Sequence, residues 1–187
     1  MEFVEPIRDI GKIKEMYDML ADQHTRNAFL FKLGINTNLR ISDILSLKVQ
    51  DVKEIIKIQE KKTLKKKSIY ISNNIYNSLL EYININKLYN NSYLFYSLKH
   101  NRGSVKLDRT NAWRFLKNAS TQVRLNHFGT HSLRKTFGYH YYKKTNDIAT
   151  LMILLNHTSI ASTLHYIGIT QDRVRKAYED MSELYGI

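Results

Sequence analysis

Cysteine is absent from this 187-residue chain, which excludes a disulfide framework and any thiolate-held metal. The absence agrees with a reducing compartment. Proline occurs once and glycine seven times. No long Pro/Gly/Ser linker, internal repeat or low-complexity tail interrupts the chain. Long apolar runs are missing too. Residues 1–30 hold no signal core, and no stretch approaches the ~18 uninterrupted apolar residues of a membrane span. Acidic charge is scarce: 17 Asp+Glu stand against 29 Lys+Arg, a formal net charge of +12. That surplus favours an acidic partner, nucleic acid foremost; the bland alternative is a merely basic protein. One domain is the default at this length, and a soluble, cytoplasmic protein is expected.

The hydrophobic pattern predicts a helix over 7–22, with Ile10, Ile13, Tyr17 and Leu20 on one face. A second, apolar on most faces, spans His24 to Ile35, and a short one starts at Leu39–Asp43 and ends near Leu47, with Ser42 as a candidate cap. Residues 52–59 and 68–71 are β-rich and predict two antiparallel strands. Between them lies a lysine-loaded turn, Glu60-Lys61-Lys62-Thr63-Leu64-Lys65-Lys66-Lys67. Further helices are expected from Asn73 or Asn74, from Asp108, from Thr130 to about Tyr142, from Asn146, from Thr158 and from Thr170. The fold class is therefore α+β: mostly helical, with one small antiparallel sheet.

Five residues carry chemistry. His131 and Arg134 stand in H-S-L-R, His157 in L-N-H-T-S-I, Tyr166 in T-L-H-Y-I, and Arg40 far upstream in N-L-R-I-S-D-I-L-S-L. Phosphoryl transfer needs positive charge and donors around the non-bridging oxygens. Arginine offers a charged planar fork, imidazole a donor or proton relay, and tyrosine an oxygen nucleophile. His131 and Arg134 are three apart and share a helix face; a cap at Thr130 would put both in the first turn, where phosphate is favoured. Each residue has an ordinary reading. Arg40 suits a surface or a buried ion pair with Asp43, His157 a helix C-terminus, and Tyr166 is one of 13 tyrosines. His24, His100, His127 and His140 show no ligand pattern, and no metal is assigned.

With these motifs in this order, the chain resembles the catalytic domain of the tyrosine recombinases, the phage integrase family, from about residue 7 to 187. The resemblance implies a site-specific recombinase of a mobile element. Tyr166 would attack a DNA phosphate, giving a 3′-phosphotyrosine and a free 5′-hydroxyl. Arg40 and Arg134 would clamp the non-bridging oxygens, and His131 and His157 would hydrogen-bond the phosphate or assist proton transfer. A turn lysine would protonate the leaving oxygen: Lys62 by position, with Lys61 or Lys65 as alternatives, since Leu64 stands where the family often has glycine. Asp43 would brace the site. No cofactor, metal or ATP is implied. Double-stranded DNA is the expected partner, contacted by Lys61, Lys65, Lys66, Lys67 and Arg114, the last on the helix after Asp108 with Trp113 and Lys117, which together with Lys106 and Arg109 would track a phosphate backbone. That helix's tryptophan suits a backbone-tracking surface or the core. The family's usual N-terminal core-binding domain is expected to be absent. Self-association into a tetramer on DNA is expected, through the C-terminal helix, whose apolar face (Val174, Tyr178, Met181 and Leu184 or Tyr185) would otherwise pack on its own domain. The alternatives are a non-catalytic DNA-binding regulator on the same fold and a type IB topoisomerase-like relaxing enzyme.

Overall fold

The computed structural model describes residues 4–53, 55–59 and 66–185. The order of elements is α1 Ile10–Gln23, α2 Thr25–Thr37, α3 Ile41–Ile44, a 3-10 turn Val49–Asp51, β1 Ile55–Gln59, β2 Lys66–Tyr70, α4 Asn73–Ile85, α5 Arg109–Gln122, α6 Thr130–Thr145, α7 Ile148–Leu155, α8 Ile160–Tyr166 and α9 Ile169–Tyr185. The strands pair antiparallel, with Ile56 opposite Ile69. Both are buried, so alternation has set the register. This mostly helical domain with one small sheet is the expected α+β class. Around Tyr93 to Tyr96 two single bridges form, Lys48 to Tyr93 and Tyr96 to Lys106.

Helix α2 is the hub. It packs on α1, α3, α4, α5 and α6, and Leu30, Phe31 and Leu33 are fully buried. Its mixed apolar surface therefore faces neighbours on most sides. Phe29, Tyr82 and Phe95 stack beside it, with Phe29–Tyr82 centroids 4.7 Å apart. A smaller apolar cluster of Tyr139, Leu151, Leu155, Ile167 and Ile169 joins α6 through α9. Gly138 permits that closeness: a Cβ there would lie 2.7 Å from Ile167 Cγ2.

Several helix ends differ from the sequence reading. Helix α1 starts at Ile10 because Asp9 accepts the Gly11 and Lys12 amides. Residues 4–9 ahead of it carry no regular secondary structure, so Ile7 is buried outside any helix, while Ile10 is 72% exposed. Arg40, not Ser42, occupies the N-cap of α3. Ser72 caps α4, Asp147 caps α7 and Ser159 caps α8, each through its side-chain oxygen. Gly129 precedes α6, and Ser132 Oγ accepts its amide at 3.1 Å. Thr130 is thus the first helical residue, and Arg134 falls in the second turn.

Candidate active site

The end of α7 is where the site is assembled. A helix leaves its last carbonyls without intrahelical partners. Here Asn38 Nδ2 donates to the Leu154 carbonyl at 2.7 Å, and Arg134 Nη2 to that of Leu155 at 2.8 Å. Asn38 takes the left-handed conformation that ends α2, two residues before Arg40. The turn bearing Arg40, the helix bearing Arg134 and the helix end bearing His157 are therefore tied to one another. Arg134 is 4% exposed, and half-buried Arg40 opens α3. Asp43 is buried one turn on and receives a weak bond from Ser42 Oγ at 3.4 Å.

His157 follows the left-handed Asn156 that closes α7. Its ring meets that of Tyr166 edge-on, with centroids 5.1 Å apart and planes at 88°. Nδ1 lies 3.2 Å from Thr163 Oγ1, and the same hydroxyl donates to the Ser159 carbonyl at 2.7 Å. A hydroxyl has one proton. It therefore accepts from His157, which sets the neutral ring as the Nδ1–H tautomer, with the lone pair on Nε2.

Tyr166 ends α8, and Gly168 follows at φ 88°, a conformation glycine adopts without strain. A Cβ at Gly168 would also press on Pro6 and Arg8. Burial holds the Tyr166 hydroxyl above the usual tyrosine range, while the charges of Arg134 and Arg40 act in the opposite direction. The proton affinity of His157 is lowered by desolvation, then by Arg134 and Arg40. That of His131 is lowered by desolvation, then by Arg109, Arg134, Lys135 and Arg40. Both rings are thus biased toward the neutral form near pH 7.

Arg40, His131, Arg134, His157 and Tyr166, separated by up to 126 positions, thus form one electrostatic neighbourhood. Lys61, Lys62 and Lys65 lie outside the described residues. Lys66 and Lys67 pair through their backbones with Gln59 and Ile58. Arg114 is exposed on α5 and donates to Asn111 Oδ1 at 2.8 Å; on this helix it is Arg109, not Arg114, whose charge reaches His131. Trp113, 45% exposed, is a surface residue rather than a core one. Thr163 and Lys135 also belong to the site. Thr163 could have been suspected, since it lies three before Tyr166 on one helix face. Among the described residues no cluster of three or more His, Cys, Asp or Glu could hold a metal, and no helix there is long and apolar enough to cross a membrane.

The model of the phage integrase family matches residues 10–173. This chain belongs to that family. It is similar to the probable integrase/recombinase YoeC of Bacillus subtilis (strain 168), at 44% identity over 181 residues, covering 96% of this chain and 97% of that protein. It is 29% identical over 174 residues to the tyrosine recombinase XerA of Pyrococcus horikoshii, covering 91% of this chain and 58% of XerA. In three dimensions it resembles XerH site-specific recombinase bound to a palindromic difH substrate, with TM-score 0.73, 20% identity, and coverage of 95% of this chain and 53% of that one. The chain therefore spans between half and three-fifths of these two recombinases, and its fold is that of their shared portion.

Proposed function

We propose that this chain cleaves and rejoins double-stranded DNA site-specifically, through a covalent phosphotyrosine at Tyr166. The observation that carries the reading is the convergence of charge. Arg40 and Arg134 act on Tyr166 and on both candidate histidines. A DNA-binding regulator has no need of a half-buried tyrosine among those charges.

The reaction follows from the residues. The phosphate sits between Arg40 and Arg134, whose forks bind the non-bridging oxygens more strongly as charge grows there. Neutral His131 accepts the Tyr166 proton as the phenol oxygen attacks phosphorus. His157 carries its lone pair on Nε2; the negative charge of the bound phosphate favours its protonation there from solvent, and the imidazolium then donates to a phosphate oxygen. The bond to the 5′-oxygen breaks, and that oxygen takes a proton from a turn lysine, Lys62 by sequence position. Asp43 braces the Arg40 turn. The bond energy stays in the phosphotyrosine, so the free 5′-hydroxyl of another strand reverses the steps. Lys61, Lys65, Lys66, Lys67 and Arg114 supply phosphate attraction around the cut.

Exchange between two duplexes cuts four strands, one nucleophile for each, which requires four protomers. Helix α9 supports such assembly. Val174, Tyr178, Met181 and Leu184 recur at helical spacing and are 51%, 76%, 43% and 73% exposed, an apolar stripe left largely open to solvent by the described residues. Replacing Val174, Tyr178 and Met181 by serine should lower the mass of the complex on DNA in analytical ultracentrifugation, and an unchanged mass would remove the helix from the interface.

Nicked duplex fragments of the source genome test the cleavage itself. Denaturation after incubation should leave protein-linked DNA with the wild type and none with Tyr166→Phe, while both bind with a steep salt dependence. Binding without adduct would favour the regulator instead.

A further inference from the structure

We propose that Lys135 is a positioning residue for Tyr166: its ammonium, tethered by the Val4 carbonyl, lies against the phenol ring and supports the anion that forms as the hydroxyl proton departs. The inference rests on Tyr166 being the nucleophile. Lys135 Nζ is 5.1 Å from the Tyr166 ring centroid and donates to the Val4 carbonyl at 2.7 Å.

The tether is itself built into the fold. Residues 4–9 form a strap across α6. The Glu5 amide donates to the His127 carbonyl at 2.8 Å, the Ile7 amide to Thr136 Oγ1 at 2.8 Å, and His140 Nε2 meets the Ile7 carbonyl at 2.9 Å. At the start of α6, a Cβ on Gly129 would come 2.9 Å from Val4 Cγ1. Arg8 continues the strap to α9 through its ion pair with Asp172 at 2.8 Å. The lysine head is therefore held before DNA arrives, which is the condition for electrostatic support without reorganisation.

The support is selective for the reacting state. A neutral phenol offers a cation only the weak attraction of its ring face. A phenolate adds a full negative charge to the same side chain, so the interaction grows as the proton leaves. The groups facing Tyr166 are Arg134 and Arg40, His157 edge-on, and Lys135. Burial, foremost, lowers the proton affinity of Lys135; Glu5 favours its charge and Arg8 opposes it. The two arginines face a phosphate when DNA is bound, and its charge offsets theirs. Lys135, bonded to the strap, keeps its charge for the tyrosine.

The test is the rate of adduct formation on a nicked duplex from about pH 6 to about pH 9.5, for wild type, Lys135→Met, Lys135→Gln and Lys135→Arg, with Tyr166→Phe as the blank. An opposite charge within ~4–6 Å typically lowers an acid's pKa by ~1–3 units. Lys135→Met should therefore be about tenfold slower at neutral pH, with the alkaline rise in rate displaced upward by about one pH unit. Lys135→Gln keeps a donor for the Val4 carbonyl but lacks the charge. It should show the same displacement even if the methionine variant does not fold. Lys135→Arg should return the profile toward wild type. A wild-type profile in Lys135→Gln, or no rescue by Lys135→Arg, would overturn the proposal. Absence of adduct from the wild type at every pH would overturn the nucleophile itself, and this inference with it.

Discussion

Replacing Thr163 by valine isolates one hydrogen bond of the site. Thr163 is fully buried, and valine matches its shape, so packing is kept and the hydroxyl alone is lost. The Ser159 carbonyl keeps two other donors, the Thr163 amide at 3.1 Å and Ser162 Oγ at 3.0 Å. The consequence therefore falls on His157 Nδ1, which would face a methyl group instead of an acceptor. The net value of such a bond is ~0.5–1.5 kcal/mol. In a domain of this size ~1 kcal/mol lowers the melting temperature by ~2–4 °C. The same ~1 kcal/mol, lost from the orientation and tautomer of His157, slows the chemical step by roughly five- to tenfold. Thr163→Ser is the control: it keeps the hydroxyl and deletes one methyl, at ~1 kcal/mol of stability. Single-turnover adduct formation and thermal melting should then separate the two. Valine should be slow and serine near wild type in rate, although both melt slightly early. A valine variant cleaving at the wild-type rate, or a serine variant as slow as valine, would refute the assignment of the Nδ1–H tautomer.

Arg134→Lys should reduce adduct formation by about a hundredfold, because an ammonium cannot span two phosphate oxygens. Near-normal single-turnover cleavage would remove Arg134 from the clamp. Stability should also depend on pH. The folded-state pKa values of His131 and His157 lie below the free value, chiefly through desolvation, so the folded chain binds fewer protons than the unfolded one as pH falls through that interval. Their contribution is intact above ~pH 6.5 and is lost progressively below it. The melting temperature should fall between about pH 7 and about pH 5, and less steeply in a His131→Gln, His157→Gln variant. His24, desolvated and close to Arg26 and Arg102, accounts for part of the remaining slope. An unchanged slope in the double variant would contradict the charge-crowded site.

Much of this was legible in the chain because the informative spacings are short. Asp108 announces α5 through a local bond, accepting the Asn111 amide at 2.9 Å. Arg40, His131, Arg134, His157 and Tyr166 sit in four short motifs whose order needs no three-dimensional knowledge. What the pattern could not show depends on long range. Ile7 has the periodicity of a helix face but belongs to the strap ahead of α1, where its amide is taken by Thr136, 129 positions away. Ile10 completes an apolar heptad and yet faces solvent, since α1 turns its Met16 and Leu20 face toward α2. Thr130 has the chemistry of a cap, but Gly129 takes the N-cap position, with its amide bonded to Ser132 Oγ. Lys135 is one of 29 Lys and Arg residues in the sequence, and the Val4 carbonyl and the Tyr166 ring that distinguish it are brought to it by the fold.

The central claim is that one tyrosine among the chain's 13 becomes covalently joined to DNA. Proteolysis of the trapped adduct, nuclease trimming and mass spectrometry of the modified peptide test it most directly. The account predicts a single nucleotide-bearing peptide, spanning Tyr166, with the linkage on that residue's oxygen. A linkage mapped to any other tyrosine, or to a serine, would contradict it.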